Sequence, residues 1–215
     1  MKKLFIGGII LFVLAAIVLI IVIVAGGSYN RLVSLSQGVD KQWAQVENVY
    51  QRRADLVPNL VATVQGAANF EKSTLTDIVE ARASVGKVTI NADKAPTDAA
   101  QLAEFEKAQG ALSSALSRLL VVSEQYPDLK ATAGFRDLQA QLEGTENRIS
   151  VERGRFNDAV QAYDTAIKSF PNNLYAGMFG FKEKPYFTAT AGADKPPQVQ
   201  FDFNKPAASP APAKQ

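Results

Sequence analysis

From Leu4 to Ala25 the chain carries twenty-two apolar residues in succession, LFIGGIILFVLAAIVLIIVIVA; beyond Ser28 the apolar positions recur every three or four residues. The two patterns predict different elements. A helix rises about 1.5 Å per residue, so the first run reaches roughly 33 Å. That suffices to cross a bilayer core about 30 Å thick, where a helix satisfies its own backbone. A cleaved signal peptide is the competing reading, with Lys2 and Lys3 as its charged start and Ala25-Gly26-Gly27 as a small-residue cleavage site. Signal cores, however, are about 7–15 residues long, so the segment over residues 1–27 is read as an uncleaved, single-pass transmembrane anchor. Lys2 and Lys3 predict an N-terminus on the cytoplasmic side and everything from Ser28 onward on the extracytoplasmic side of the membrane.

The periodic part predicts helices. Val39, Trp43, Val46, Tyr50, Val57, Leu60 and Val64 form a heptad-like seam once Arg53 takes its place between Tyr50 and Val57. They predict a first helix over about 29–68, joined to the anchor at Gly26-Gly27-Ser28 and kinked at Pro58. A second helix is expected over about 70–85, with Leu75, Ile78, Val79 and Val85 as its apolar positions, then a loop over 86–96. Thr97 is expected to cap a third helix, with Asp98 in its first turn. Leu102, Phe105, Leu112, Leu116, Leu119 and Tyr126 form that helix's seam, and Pro127 its stop. A fourth helix over about 128–169 carries Phe135, Leu138, Leu142, Thr145, Ile149, Glu152, Phe156, Ala159 and Tyr163. The fold class is therefore all-α: an antiparallel four-helix bundle with long helices over 28–170, behind a single N-terminal transmembrane helix. Residues 171–204 are aromatic, glycine-containing and mostly irregular, packing on bundle or membrane. From 205 to 215 the Pro/Ala-rich tail cannot bury enough surface to order itself.

Composition narrows the chemistry. The net charge of +2 is accounted for by Lys2 and Lys3, which leaves 21 cations against 21 anions in the remainder. A neutral body argues against nucleic acid as a partner. With no histidine and no cysteine, zinc sites, Ser–His and Cys nucleophile systems and histidine relays are removed together. No catalytic, cofactor-binding or metal-binding residue is assigned. Ser84-Val85-Gly86-Lys87 fits a Ser-x-x-Lys pattern, but none of its companion motifs is present.

Two polar residues interrupt apolar seams, Arg53 and Glu152. In an antiparallel pair Arg53 lies 23 residues above Asn30 and Glu152 lies 17 below Ser169, a mismatch of about six residues or 9 Å. With Asn147 and Arg148 nearby they form a candidate core polar layer, read either as a ligand site or as an ion pair that fixes helix register. The second candidate is the aromatic segment, with Tyr175, Met178, Phe179, Phe181, Tyr186 and Phe187 beside Lys182 and Lys184. Three readings stand open for it: wrapping the bundle end, lying on the membrane, or self-association.

Tyr50-Gln51-Arg52-Arg53-Ala54-Asp55-Leu56-Val57-Pro58-Asn59-Leu60 resembles the signature of the LemA family of bacterial membrane proteins. So do Glu143-Gly144-Thr145-Glu146-Asn147-Arg148-Ile149 and Phe170-Pro171 followed by Gly177-Met178-Phe179-Gly180-Phe181. The resemblance runs from the anchor to about Phe203. It implies one N-terminal transmembrane helix and an antiparallel helical bundle; the family includes a magnetosome protein and has no established enzymatic activity. Members are often encoded beside a membrane metalloprotease. The expected function is a non-enzymatic, membrane-anchored helical scaffold or protein-interaction module at the cell envelope. Its partners are the lipid bilayer, other membrane or envelope proteins, and copies of itself as a homo-oligomer. The alternatives are a small-ligand sensor or carrier using the polar layer, and an adapter for a membrane protease or envelope-stress system.

Overall fold

The computed structural model describes residues 2–66, 70–87 and 94–188. Its first helix, α1 (Lys2–Gln65), is a single run of 64 residues, about 96 Å long. The apolar segment expected to be an anchor and the first bundle helix are thus one element, and the expected joint at Gly26-Gly27-Ser28 is helical. Two glycines cost a helix only about 1 kcal/mol each, and helix-forming sequence continues on both sides. The N-terminal part of α1 is long and apolar enough to cross a membrane, and its most apolar stretch is not buried inside the molecule.

Helix α1 also runs through Pro58 to Gln65. Proline has no N–H to give the carbonyl four residues back, which orphans the Ala54 oxygen. Arg82 repairs the gap: its Nε donates to that carbonyl at 3.0 Å. Arg82 lies on α2 (Lys72–Lys87), which begins two residues later than expected and runs through Gly86. Ile78 is buried there and Val79 is 52% exposed. Most of the expected loop, 88–93, lies outside the described residues, as do Phe201–Phe203 and the tail.

Helix α3 (Ala99–Ser123) is capped by Asp98 and not by Thr97: the Asp98 carboxylate accepts from the Gln101 backbone N–H at 2.9 Å. Gln101 returns the contact by accepting from the Thr97 N–H at 3.1 Å, a variant of the capping box. The expected fourth helix is divided. Pro127 starts the short α4 (Pro127–Ala131), Thr132 leaves helical geometry, and its hydroxyl caps α5 (Ala133–Lys168). Pro127 is therefore an N1 residue of a new helix as well as the end of α3.

The helices run up, down, up and down. α1 packs along α5, and α2 chiefly along α3. Two apolar cores result. The one nearer the apolar arm holds Trp43, Phe105, Phe156 and Phe187; the distal one holds Leu60, Ile78, Leu119 and Phe135. With only 16 residues, α2 cannot accompany α1 along its whole bundle length. Beside the nearer core its place is filled by an extended strap over 181–188. Phe187 stacks on Trp43 at 6.1 Å and meets Phe156 edge-on at 5.4 Å. Asn157 holds the strap by donating to the Phe187 carbonyl and accepting from its N–H, both at 2.9 Å. Lys184 forms a largely buried ion pair with Asp40 at 2.8 Å, and its backbone N–H binds Asp164.

Candidate functional site

Between the two apolar cores lies a polar layer centred on Arg53, which is 1% exposed. The α1 seam turns this residue inward, as its spacing requires. Its guanidinium joins three helices. One terminal nitrogen donates to the Ser113 hydroxyl and to Glu146 Oε2 at 3.0 Å; the other donates to Gln109 Oε1 at 2.7 Å and to the Gln109 carbonyl at 3.1 Å. The face of Tyr50 lies 5.0 Å beneath it. Its Nε, also buried, finds no partner among the described residues.

The carboxylate on Arg53 is therefore Glu146, not Glu152. Glu152 sits about one and a half turns further along α5, accepts from Arg155 on its own helix at 2.8 Å, and keeps Oε2 buried without a partner among the described residues. Asn147 and Arg148 are exposed and lie outside the layer. Sequence reasoning missed Gln109, Ser113 and Glu146. A signal for Gln109 existed: the α3 seam steps by seven from Phe105 to Leu112, and the position it skips is Gln109, which is buried.

A cleft of about 600 Å³ opens beside this layer, bordered by Tyr50, Arg53, Glu106, Lys107, Glu146 and Arg153. Arg153 donates to Glu106 at 2.7 Å and to the Thr188 carbonyl at 3.2 Å, and its guanidinium covers the Phe187 ring at 4.5 Å. Burial pushes the Glu106 carboxyl up from its ordinary value, against the pull of Arg153. Burial likewise raises the Tyr50 phenol, opposed by Arg153 and Arg53. The cleft can hold a small polar molecule by charge and hydrogen bonding. Among the described residues no group of acids could hold a metal ion, and the Ser84 hydroxyl is occupied by the Glu80 carbonyl.

The aromatic candidates separate into two groups. Phe187 is buried in the core and is no surface residue. Phe181 and Phe179 meet Tyr29 of α1 edge-on, at 5.6 and 5.3 Å. Met178 and Phe179 are exposed, as are Phe170 and Leu174, which lie outside the six expected aromatic-segment candidates. Tyr175 donates to Asn172 within the same turn, and Tyr186 is 40% exposed on the strap.

An apolar arm long enough to cross a membrane, continuous with a helical bundle that a buried arginine ties together across three helices, defines a class: helical-bundle proteins with one N-terminal candidate membrane helix. The LemA family model matches residues 42–201, and the chain belongs to the LemA family. It is 27% identical to the magnetosome proteins MamQ 1 and MamQ 2 of Paramagnetospirillum magneticum, over 78% of this chain and 67% of theirs. It is 24% identical to protein LemA of Metamycoplasma hominis, over 76% of this chain and 70% of that one.

Proposed function

We propose that this protein is a non-enzymatic helical scaffold, anchored in the inner membrane of a bacterium by the apolar arm of α1, with its bundle on the extracytoplasmic side. It presents that bundle to other envelope proteins and to copies of itself. The observation that carries the reading is the continuity of α1 from Lys2 to Gln65. An address signal needs no rigid connection to the body, whereas a scaffold that sets the position of its binding surfaces does. Relatives named for an organelle rather than a reaction support the same reading. In-cell crosslinking with mass spectrometry, together with light scattering of the detergent-solubilised protein, tests it. Crosslinks between copies and to envelope proteins are expected. A monomer at micromolar concentration without intermolecular crosslinks would overturn it.

The cleft favours a second reading, a sensor or carrier of a small polar ligand. Its volume falls within the range of ligand sites, and Lys107, Glu106 and Arg153 give it charges of both signs. A thermal-shift screen of small charged molecules tests this. A hit should stabilise the native chain and lose its effect in Lys107→Ala; hits insensitive to that change would count against the cleft.

A further inference from the structure

The turn after α5 exposes more apolar surface than a water-facing turn would. Phe170, Leu174, Met178 and Phe179 are 79%, 67%, 84% and 52% exposed. Yet the segment is tightly tied. The Asn172 side chain donates to the Ala166 carbonyl at 2.8 Å, Ala176 N–H to the Asn172 carbonyl at 2.8 Å, and Phe181 N–H to the Ala176 carbonyl at 3.0 Å. Gly180 closes the turn at φ +79, a left-handed conformation that glycine adopts freely. The four side chains are thus held outward by a fixed backbone.

Their position indicates what covers them. Phe179 and Phe181 touch Tyr29, which lies four residues beyond Ala25, the last residue of the apolar run. Four residues are about 6 Å of helix. The headgroup layer on each side of a bilayer core is about 5–8 Å thick. Tyr29 and the turn packed on it therefore fall at headgroup depth, with Lys182 exposed beside them, the pairing of aromatic and basic residues that suits this boundary. Resting on the membrane-anchored reading above, we propose that the 170–179 turn is a second membrane contact: Phe170, Leu174, Met178 and Phe179 enter the lipid interface beside the anchor. The bundle is then held to the bilayer at two points, which fixes its tilt and rotation as a single helix could not.

Since the chain has no cysteine, single Leu174→Cys and Met178→Cys variants of the full chain can carry an environment-sensitive fluorophore in phosphatidylcholine/phosphatidylglycerol vesicles with doxyl-labelled lipids. Val24→Cys marks the span, and Val121→Cys, exposed at the distal end, marks the water side. Labels at 174 and 178 should be quenched by doxyl groups near the headgroups and shielded from aqueous iodide, with 121 behaving oppositely. If 174 and 178 behave like 121 while 24 is quenched by lipid, the anchor stands and the second contact is overturned. If 24 also fails to quench, the anchored reading itself falls. If 174 and 178 are shielded only as the protein-to-lipid ratio rises, a second copy covers the turn and the proposal is overturned.

Discussion

Arg53 and Glu146 form an ion pair that should be far less important to Glu146 than to Arg53. The carboxylate's side chain is 57% exposed and the guanidinium's 2%. Glu146→Ala lets Arg53 keep Ser113 and both Gln109 acceptors, so it removes one screened, half-exposed pair and should cost about 0.2–1 kcal/mol. Arg53→Ala removes every bond of the layer at once. Glu146 returns to water at small cost, but buried Gln109 loses a charged donor, worth about 1.5–3 kcal/mol. A cavity between the two apolar cores adds to that loss, so the total should be about 3–5 kcal/mol. Arg53→Met combined with Gln109→Leu refills the volume and removes the buried Gln109 side-chain acceptor, leaving the Gln109 carbonyl to its own helix and Ser113 at the edge of the cleft, and should lie within about 1.5 kcal/mol of the native chain. Urea titration of the full-length protein in micelles, followed by far-ultraviolet circular dichroism and the fluorescence of Trp43, the single tryptophan, measures all three. A Glu146→Ala cost equal to that of Arg53→Ala would refute the reasoning, because the clamp would then be an ion pair and not a hydrogen-bonded hub.

Three further outcomes follow from the geometry. Asp98→Ala should cost about 1 kcal/mol as the lost cap of α3, and Thr97→Ala clearly less; equal costs by urea titration would return the cap to Thr97. Arg82→Met should destabilise the native chain, and less so once Pro58→Ala restores a donor to the Ala54 carbonyl; the double-mutant cycle should show about 0.5–1 kcal/mol of coupling, and strict additivity would contradict the repair. Asp164 is buried, and its carboxyl is pushed above its ordinary value by that burial, so folding favours its protonated form: its contribution is most favourable below about pH 4, the unfolded value, and is lost as pH rises through the higher folded value. Asp164→Asn should therefore gain stability relative to the native chain as pH rises from about 4 to 7, and a difference that stays constant with pH would refute it.

The seams were legible because period alone fixes a helix's buried face. Every α1 seam residue from Val39 to Val64, Arg53 included, is buried, and so are the α3 positions from Leu102 to Leu119. The partner of Arg53 was almost legible. Arg53 is 23 residues above Asn30, and 23 residues below Ser169 is Glu146. The register arithmetic pointed there, but Glu146 flanks the seam at Thr145, and a search confined to seam positions chose Glu152. The break at Thr132 was hidden because Pro127 reads equally as the end of one helix and as N1 of the next. The strap was legible only as an irregular aromatic segment packing on bundle or membrane, and its place beside Trp43 was not. Phe187 is buried only because α2 is too short to flank Trp43, a property of the assembled bundle and not of the local sequence around 181–188.

A helix unbroken from Lys2 to Gln65 should hold the apolar arm and the bundle as one rigid body. Double electron–electron resonance between nitroxides on Val18→Cys and Lys41→Cys, in nanodiscs, tests it most directly. Both sites are exposed, and twenty-three helical residues separate them by about 35 Å. A single narrow distribution near that distance is predicted; a broad or markedly shorter one would place a hinge at Gly26-Gly27 and contradict the account.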